Sequence, residues 1–140
     1  MNNEQRWLQR FENFESAYAV FLRRIDEYEQ FPDKEAYQMA LIQGFEIIIE
    51  LAWKTLKDYL ENEGYSEVKN AKQTVRQAFQ DEIIRDAEAW MGALEKRNLT
   101  SHVYNVAILH ETLDFIHDRF YPVLKDLFFK LKDYRDTLSS

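Results

Sequence analysis

The sequence predicts an all-α protein, an antiparallel up-and-down helical bundle of four to five helices. Only three glycines and two prolines punctuate its 140 residues, too few for the many turns of a sheet protein. Apolar residues recur at alternating spacings of three and four along most of the chain, which is the period of one helix face. The hydrophobic fraction is 46% and the aromatic fraction 15%, so large rings can build a continuous core at this length. A single domain over residues 1–140 is expected, with a short polar tail after about Tyr134.

The first helix is expected from about Glu4 to Glu29, with Trp7, Phe11, Phe14, Tyr18, Phe21, Ile25 and Tyr28 on one stripe. Phe31-Pro32-Asp33 should end it, because proline disfavours a helical residue before it, and Asp33 can cap the next helix. That second helix, about Lys34 to Asn62, carries two apolar faces. Phe45, Ile48, Ile49, Ala52, Trp53, Leu56 and Leu60 form the main one; Ala40, Gly44, Ile47 and Leu51 form another, nearly opposite. The second face fits burial between helices of one bundle, or a seam between two copies.

Gly64 is placed to terminate the second helix. A third is expected from about Glu67 to Phe79, packing through Val68, Ala71, Val75, Ala78 and Phe79. Lys69, Lys72 and Arg76 lie on another of its faces, which reads as a solvated side or as a phosphate track for RNA. The fourth, about Glu82 to Arg97, should pack through Ile83, Ala87, Trp90 and Leu94. Thr100 and Ser101 suit the cap of a long fifth helix with the stripe Val106, His110, Leu113, His117, Phe120, Leu124, Leu127 and Leu131, kinked or divided by Pro122.

Composition removes several functions. No cysteine is present, so disulfides and thiolate metal sites are excluded. No signal-type run and no span of ~18 to 20 apolar residues occurs, so a cytoplasmic protein is expected. A net charge of −7 argues against indiscriminate nucleic-acid binding and confines any RNA site to a local basic patch. His102 and His110, eight residues apart on a continuous helix, would be ~12 Å apart and unable to share an ion. Asp114 and His117 have ligand spacing, but no second such pair accompanies them. Neither a metal nor another cofactor is expected, and His110 and His117 read as buried or half-buried stripe residues. Glu46 and Glu50 lie one turn apart and suit either acid–base work or a structural flank in contact with Lys54. Phosphate-binding glycine loops and the serine-hydrolase elbow are absent.

Arg97, Asn98, His102 and Tyr104 remain. A tight connection would let Arg97 end one helix while His102 opens the next, facing one cleft. His102 titrates near neutrality and could move a proton at a ribose 2′-OH or a leaving 5′-oxygen; Arg97 could stabilise charge on phosphorus oxygens without a metal. The same pair could equally pack a helix junction.

RNLTSHVY, Arg97 to Tyr104, resembles the Arg-x4-His-x-Tyr signature of HEPN (higher eukaryotes and prokaryotes nucleotide-binding) domains. FEIIIELAWKTLKDYL, Phe45 to Leu60, resembles the second-helix signature of its nucleotidyltransferase substrate-binding branch. The resemblance implies a helical homodimer with two motifs in one composite cleft, and a partner that is a minimal nucleotidyltransferase. It implies a toxin of a toxin–antitoxin pair, a metal-independent ribonuclease with Arg97 and His102 catalytic and Asn98 supporting. The nucleotidyltransferase would neutralise it by transferring AMP to Tyr104. The older family name implies a milder alternative, a non-catalytic accessory subunit that presents a substrate to the transferase.

Overall fold

A computed structural model describes residues 1–97 and 105–138. Among these, six α-helices follow in order: α1 (Asn3–Gln30), α2 (Glu35–Asn62), α3 (Ala71–Gln80), α4 (Ala87–Arg97), α5 (Val106–Phe115) and α6 (Tyr121–Leu138). A π-helical turn, Ile116–Phe120, joins α5 and α6 into one rod.

α1 begins at a capping box: the Asn2 side chain accepts from the Gln5 N–H at 2.8 Å, and the Gln5 side chain accepts from the Asn2 N–H at 3.2 Å. Its stripe from Trp7 to Ile25 is buried as the periodicity predicts. The turn at Pro32 differs from expectation. Lys34, not Asp33, holds the cap position of α2 and makes no side-chain cap bond. The Lys34 N–H closes on the Phe31 carbonyl instead, and the Gln38 side chain donates to the Pro32 carbonyl at 2.9 Å, so Asp33 lies one residue too early.

α1 and α2 run antiparallel, fixed near one end by Arg10 Nε donating to the buried Asp58 carboxylate at 2.8 Å. Farther along, a Cβ on Gly44 would come within 3.3 Å of the Arg24 side chain, so this glycine lets α1 lie close. The main apolar face of α2 is buried except Trp53, which is half-buried. The second face is covered only in part: Ala40, Gly44 and Leu51 are half-buried, while Ile47 stays 52% exposed.

α3 starts at Ala71, later than expected, because Asn70 caps it by accepting from the Gln73 N–H at 2.9 Å. Lys69 therefore precedes the helix, and Phe79, expected inside, is exposed. Nor does a helix start at Glu82. The Ile83 N–H bonds the Ala78 carbonyl at 2.8 Å and the Glu82 N–H bonds that of Phe79 at 3.1 Å, a Schellman ending that puts Glu82 at φ 62°. The turn folds Ile83 and Ile84 into the core, and Asp86 accepts from the Ala89 N–H at the start of α4.

The cap of α5 is Asn105, which accepts from the Ala107 N–H at 2.8 Å; Thr100 and Ser101 lie outside the described residues. The upper part of the expected stripe is not buried: Val106 is 67% exposed and His110 is exposed, since no helix among the described residues covers that turn. From Leu113 downward the stripe holds. Pro122, which lacks an N–H to continue the α-helical ladder, is preceded by the π turn, where the Tyr121 N–H reaches back to the Ile116 carbonyl. α6 then continues to Leu138, so Arg135, Asp136 and Thr137, expected in a polar tail, are helical.

Two aromatic clusters bind the layers. Phe120 meets Phe21, Phe45 and Trp90 edge-on at 6.0, 5.0 and 5.8 Å, joining the rod to α1, α2 and α4. Phe128 stacks on Tyr18 at 4.1 Å and on Phe11 at 5.6 Å, closing α6 against α1.

Candidate functional site

Arg97 is the last residue of α4, where a cation offsets the partial negative charge of the helix end. Its Nη1 donates to Glu50 Oε1 of α2 at 2.6 Å. The other carboxylate oxygen, Glu50 Oε2, accepts from Trp53 Nε1 at 3.1 Å and lies 3.9 Å from Lys54 Nζ. The Arg97 side chain is 26% exposed and that of Glu50 40%, so the pair faces solvent while being held from two helices. One turn earlier on α4, a Cβ on Gly92 would sit 3.2 Å from the Phe115 ring, which is how α5 approaches so closely. Lys96 Nζ lies 4.8 Å from the same ring's centroid.

The structure thus unites two segments that the sequence presents separately, the arginine of RNLTSHVY and the glutamate of FEIIIELAWKTLKDYL. Asn98, His102 and Tyr104 lie outside the described residues. The Glu50–Lys54 contact matches the flank expected of Glu50, and Glu46 is exposed. The pairing of Glu50 with Arg97 is not legible in the sequence, because a separation of 47 residues leaves no periodic trace.

The basic stripe does not form as drawn. Lys72 and Arg76 are exposed on α3, but Lys69 lies before the cap, its N–H donating to Gln73 Oε1 at 2.9 Å. Exposed His110 leaves the predicted stripe as well. His117 is half-buried, as expected. Its Nδ1 lies 2.7 Å from Asp118 Oδ1 and its Nε2 lies 2.9 Å from Glu29 Oε2. Those bonds, to Asp118 first and Glu29 next, raise its pKa above the ordinary 6.5. With carboxylates on opposite ring nitrogens, the three side chains bridge α1 to the rod rather than converge on one point. Among the described residues, no three His, Asp or Glu side chains form a group able to hold a metal ion. No helix among them is long and apolar enough to cross a membrane.

Residues 9–133 match the family model described as nucleotidyltransferase substrate binding protein like. The chain belongs to that family. The match includes both α2 and the α4–α5 junction, the segments that Glu50 and Arg97 tie together. Among solved structures, the fold is similar to that of a Haemophilus influenzae protein described as revealing the fold of a substrate binding domain of a nucleotidyltransferase. The TM-score is 0.76 at 21% identity, over 87% of this chain and 98% of that one. A Thermus thermophilus protein is similar at TM-score 0.72 and 27% identity, over 84% and 98% of the two chains. A search among curated proteins finds no match. The all-α expectation therefore agrees with both the helices and the relatives of this nucleotidyltransferase substrate-binding-like chain.

Proposed function

We propose that this chain is a non-catalytic accessory subunit that binds a nucleotidyltransferase and presents a substrate to it, working through the face where α2 meets the end of α4. The family match supports the partner. The observation that carries the assignment to this face is the Glu50–Arg97 pair. A guanidinium already bonded to a carboxylate has part of its charge offset before any ligand arrives, which suits holding and docking better than stabilising a transition state. Co-expression with a nucleotidyltransferase reading frame from the same source genome should yield a complex that survives gel filtration, weakened by Arg97→Ala. Separate elution of the two chains would sink the proposal.

The second reading is a homodimeric, metal-independent ribonuclease toxin of the HEPN type. Two observations favour it: Arg97 stands half-exposed next to the segment holding Asn98, His102 and Tyr104, and Val106 and Ile108 just beyond are exposed apolar surface suited to a second copy. His102 would accept the 2′-hydroxyl proton as the 2′-oxygen attacks phosphorus and the 5′-oxygen leaves, giving a 2′,3′-cyclic phosphate, with Arg97 on the phosphorus oxygens and Asn98 supporting. Lys69, Lys72 and Arg76 would steer the RNA. Transfer of AMP to the Tyr104 oxygen, with pyrophosphate leaving ATP, would silence it by adding a bulky anion at the site. RNA cleavage in EDTA that His102→Ala abolishes would establish this reading over the first; its absence from pure protein would discard it.

A further inference from the structure

We infer that Glu50 is an intramolecular competitor for Arg97, occupying the guanidinium until a phosphate-bearing ligand takes its place. The inference rests on the reading that the α2–α4 face is the working surface. Arg97 offers a planar fork of donors, the geometry that a phosphate or carboxylate matches. In the free chain Glu50 supplies that carboxylate, from one oxygen, at 2.6 Å.

What distinguishes Glu50 from an ordinary surface partner is its second set of contacts. Its other oxygen is bonded to the Trp53 indole N–H at 3.1 Å and lies 3.9 Å from Lys54 Nζ, both on its own helix. When the carboxylate gives up Arg97 it still has a donor and a cation, so release does not strand a charge. Lys54, 45% exposed, is then a second cation near the Arg97 guanidinium. A phosphate on Arg97 would still stand a few ångströms from the Glu50 charge. At an effective dielectric between that of a protein surface and water, that repulsion amounts to roughly a tenfold loss of affinity. In a chain of net charge −7, the carboxylate discriminates against weakly bound anions and admits only ligands that bring further contacts.

Glu50→Gln tests this without dismantling the site, because the glutamine amide oxygen can still accept from Trp53. Calorimetric titrations with AMP and with inorganic phosphate would be run on the wild type, Glu50→Gln, Arg97→Gln and the double variant. Glu50→Gln should bind AMP roughly tenfold tighter than wild type, and the gain should vanish in the double variant. The same gain with inorganic phosphate assigns recognition to the phosphate group, and a gain with AMP alone assigns it to the whole nucleotide. Equal or weaker AMP binding by Glu50→Gln at unchanged helix content, or a gain that survives Arg97→Gln, overturns the inference. The accessory role is judged separately by complex formation, which needs no bound phosphate. A stable complex without the affinity gain sinks the competitor alone, and a gain without a complex sinks the accessory role alone.

Discussion

Along the α1–α2 hairpin, rings and branched chains fill the inward positions from Trp7 to Ile25 and from Leu41 to Leu60, and the one buried carboxylate, Asp58, is matched by Arg10. At the α4–α5 end the balance reverses. Val106 and Ile108 are exposed, Gly92 replaces a side chain with a close approach to Phe115, and α4 meets α2 at its last residue through a half-exposed ion pair. The first region is held mainly by burial, which depends little on pH or on the screening of charges. The second keeps Trp90, Ala93, Leu94 and Leu113 buried but closes at its surface through charge and shape, where the contact is weak and a ligand can compete. The proposed working surface thus falls where the fold invests least.

The sharpest way to break that contrast is to attack the ring that spans both regions. Phe120→Ala removes edge contacts to Phe21, Phe45 and Trp90 at once and should cost about 3–5 kcal/mol in denaturant unfolding. A loss below about 1 kcal/mol would show that the rod is not anchored there. Gly92→Leu should come next, at about 1–3 kcal/mol, because any side chain must displace the Phe115 ring. Its effect on partner binding should exceed its effect on stability, and the reverse result would place the α4–α5 contact in the structural half of the molecule.

Glu82→Gly tests a strained point distant from both regions. It should stabilise the protein by about 0.5–1 kcal/mol, since glycine takes φ 62° without the penalty glutamate meets; chemical unfolding would show it. The smallest effect belongs to His117, whose half-exposed bonds are screened by water. Its pKa is raised above 6.5 in the folded chain, so its contribution is fully present below 6.5 and is lost as pH rises through the raised value. The melting-temperature gap between wild type and His117→Gln should therefore be wider at about pH 5.5 than at about pH 9. A gap that widens with rising pH would mean that the neutral ring is the preferred form.

The sequence discloses the hairpin almost completely, because each apolar position on the α1 stripe has a neighbouring element to bury against. It discloses the other end poorly, for identifiable reasons. Val106 and His110 keep the helical period but lack a covering helix among the described residues, and periodicity records a face without recording what packs on it. The caps Asn70 and Asp86 stand inside periodic stretches that read as continuous helix, so α3 and α4 are both shorter than their apolar spacing suggests. Glu82 in a left-handed conformation carries no glycine to announce the turn. Arg97 stands out from its own motif, whereas Glu50 acquires its meaning only when α2 and α4 are placed side by side.

The π turn before Pro122 has a consequence for how the rod can change. An α-helix advances ~100° per residue, so the wider turn at Ile116–Phe120 acts as a one-residue offset in count between two halves of one rod. The upper half addresses α4 through Phe115, and the lower half addresses α1 through Phe128. Deleting a single residue within the turn would restore a uniform pitch and leave Val106 and Ile108 near their present bearing, because the wide turn spends one residue more than an α-turn on the same rotation. The rod thus carries one residue more than a plain α-helix without turning the surface beside Arg97 away from α4.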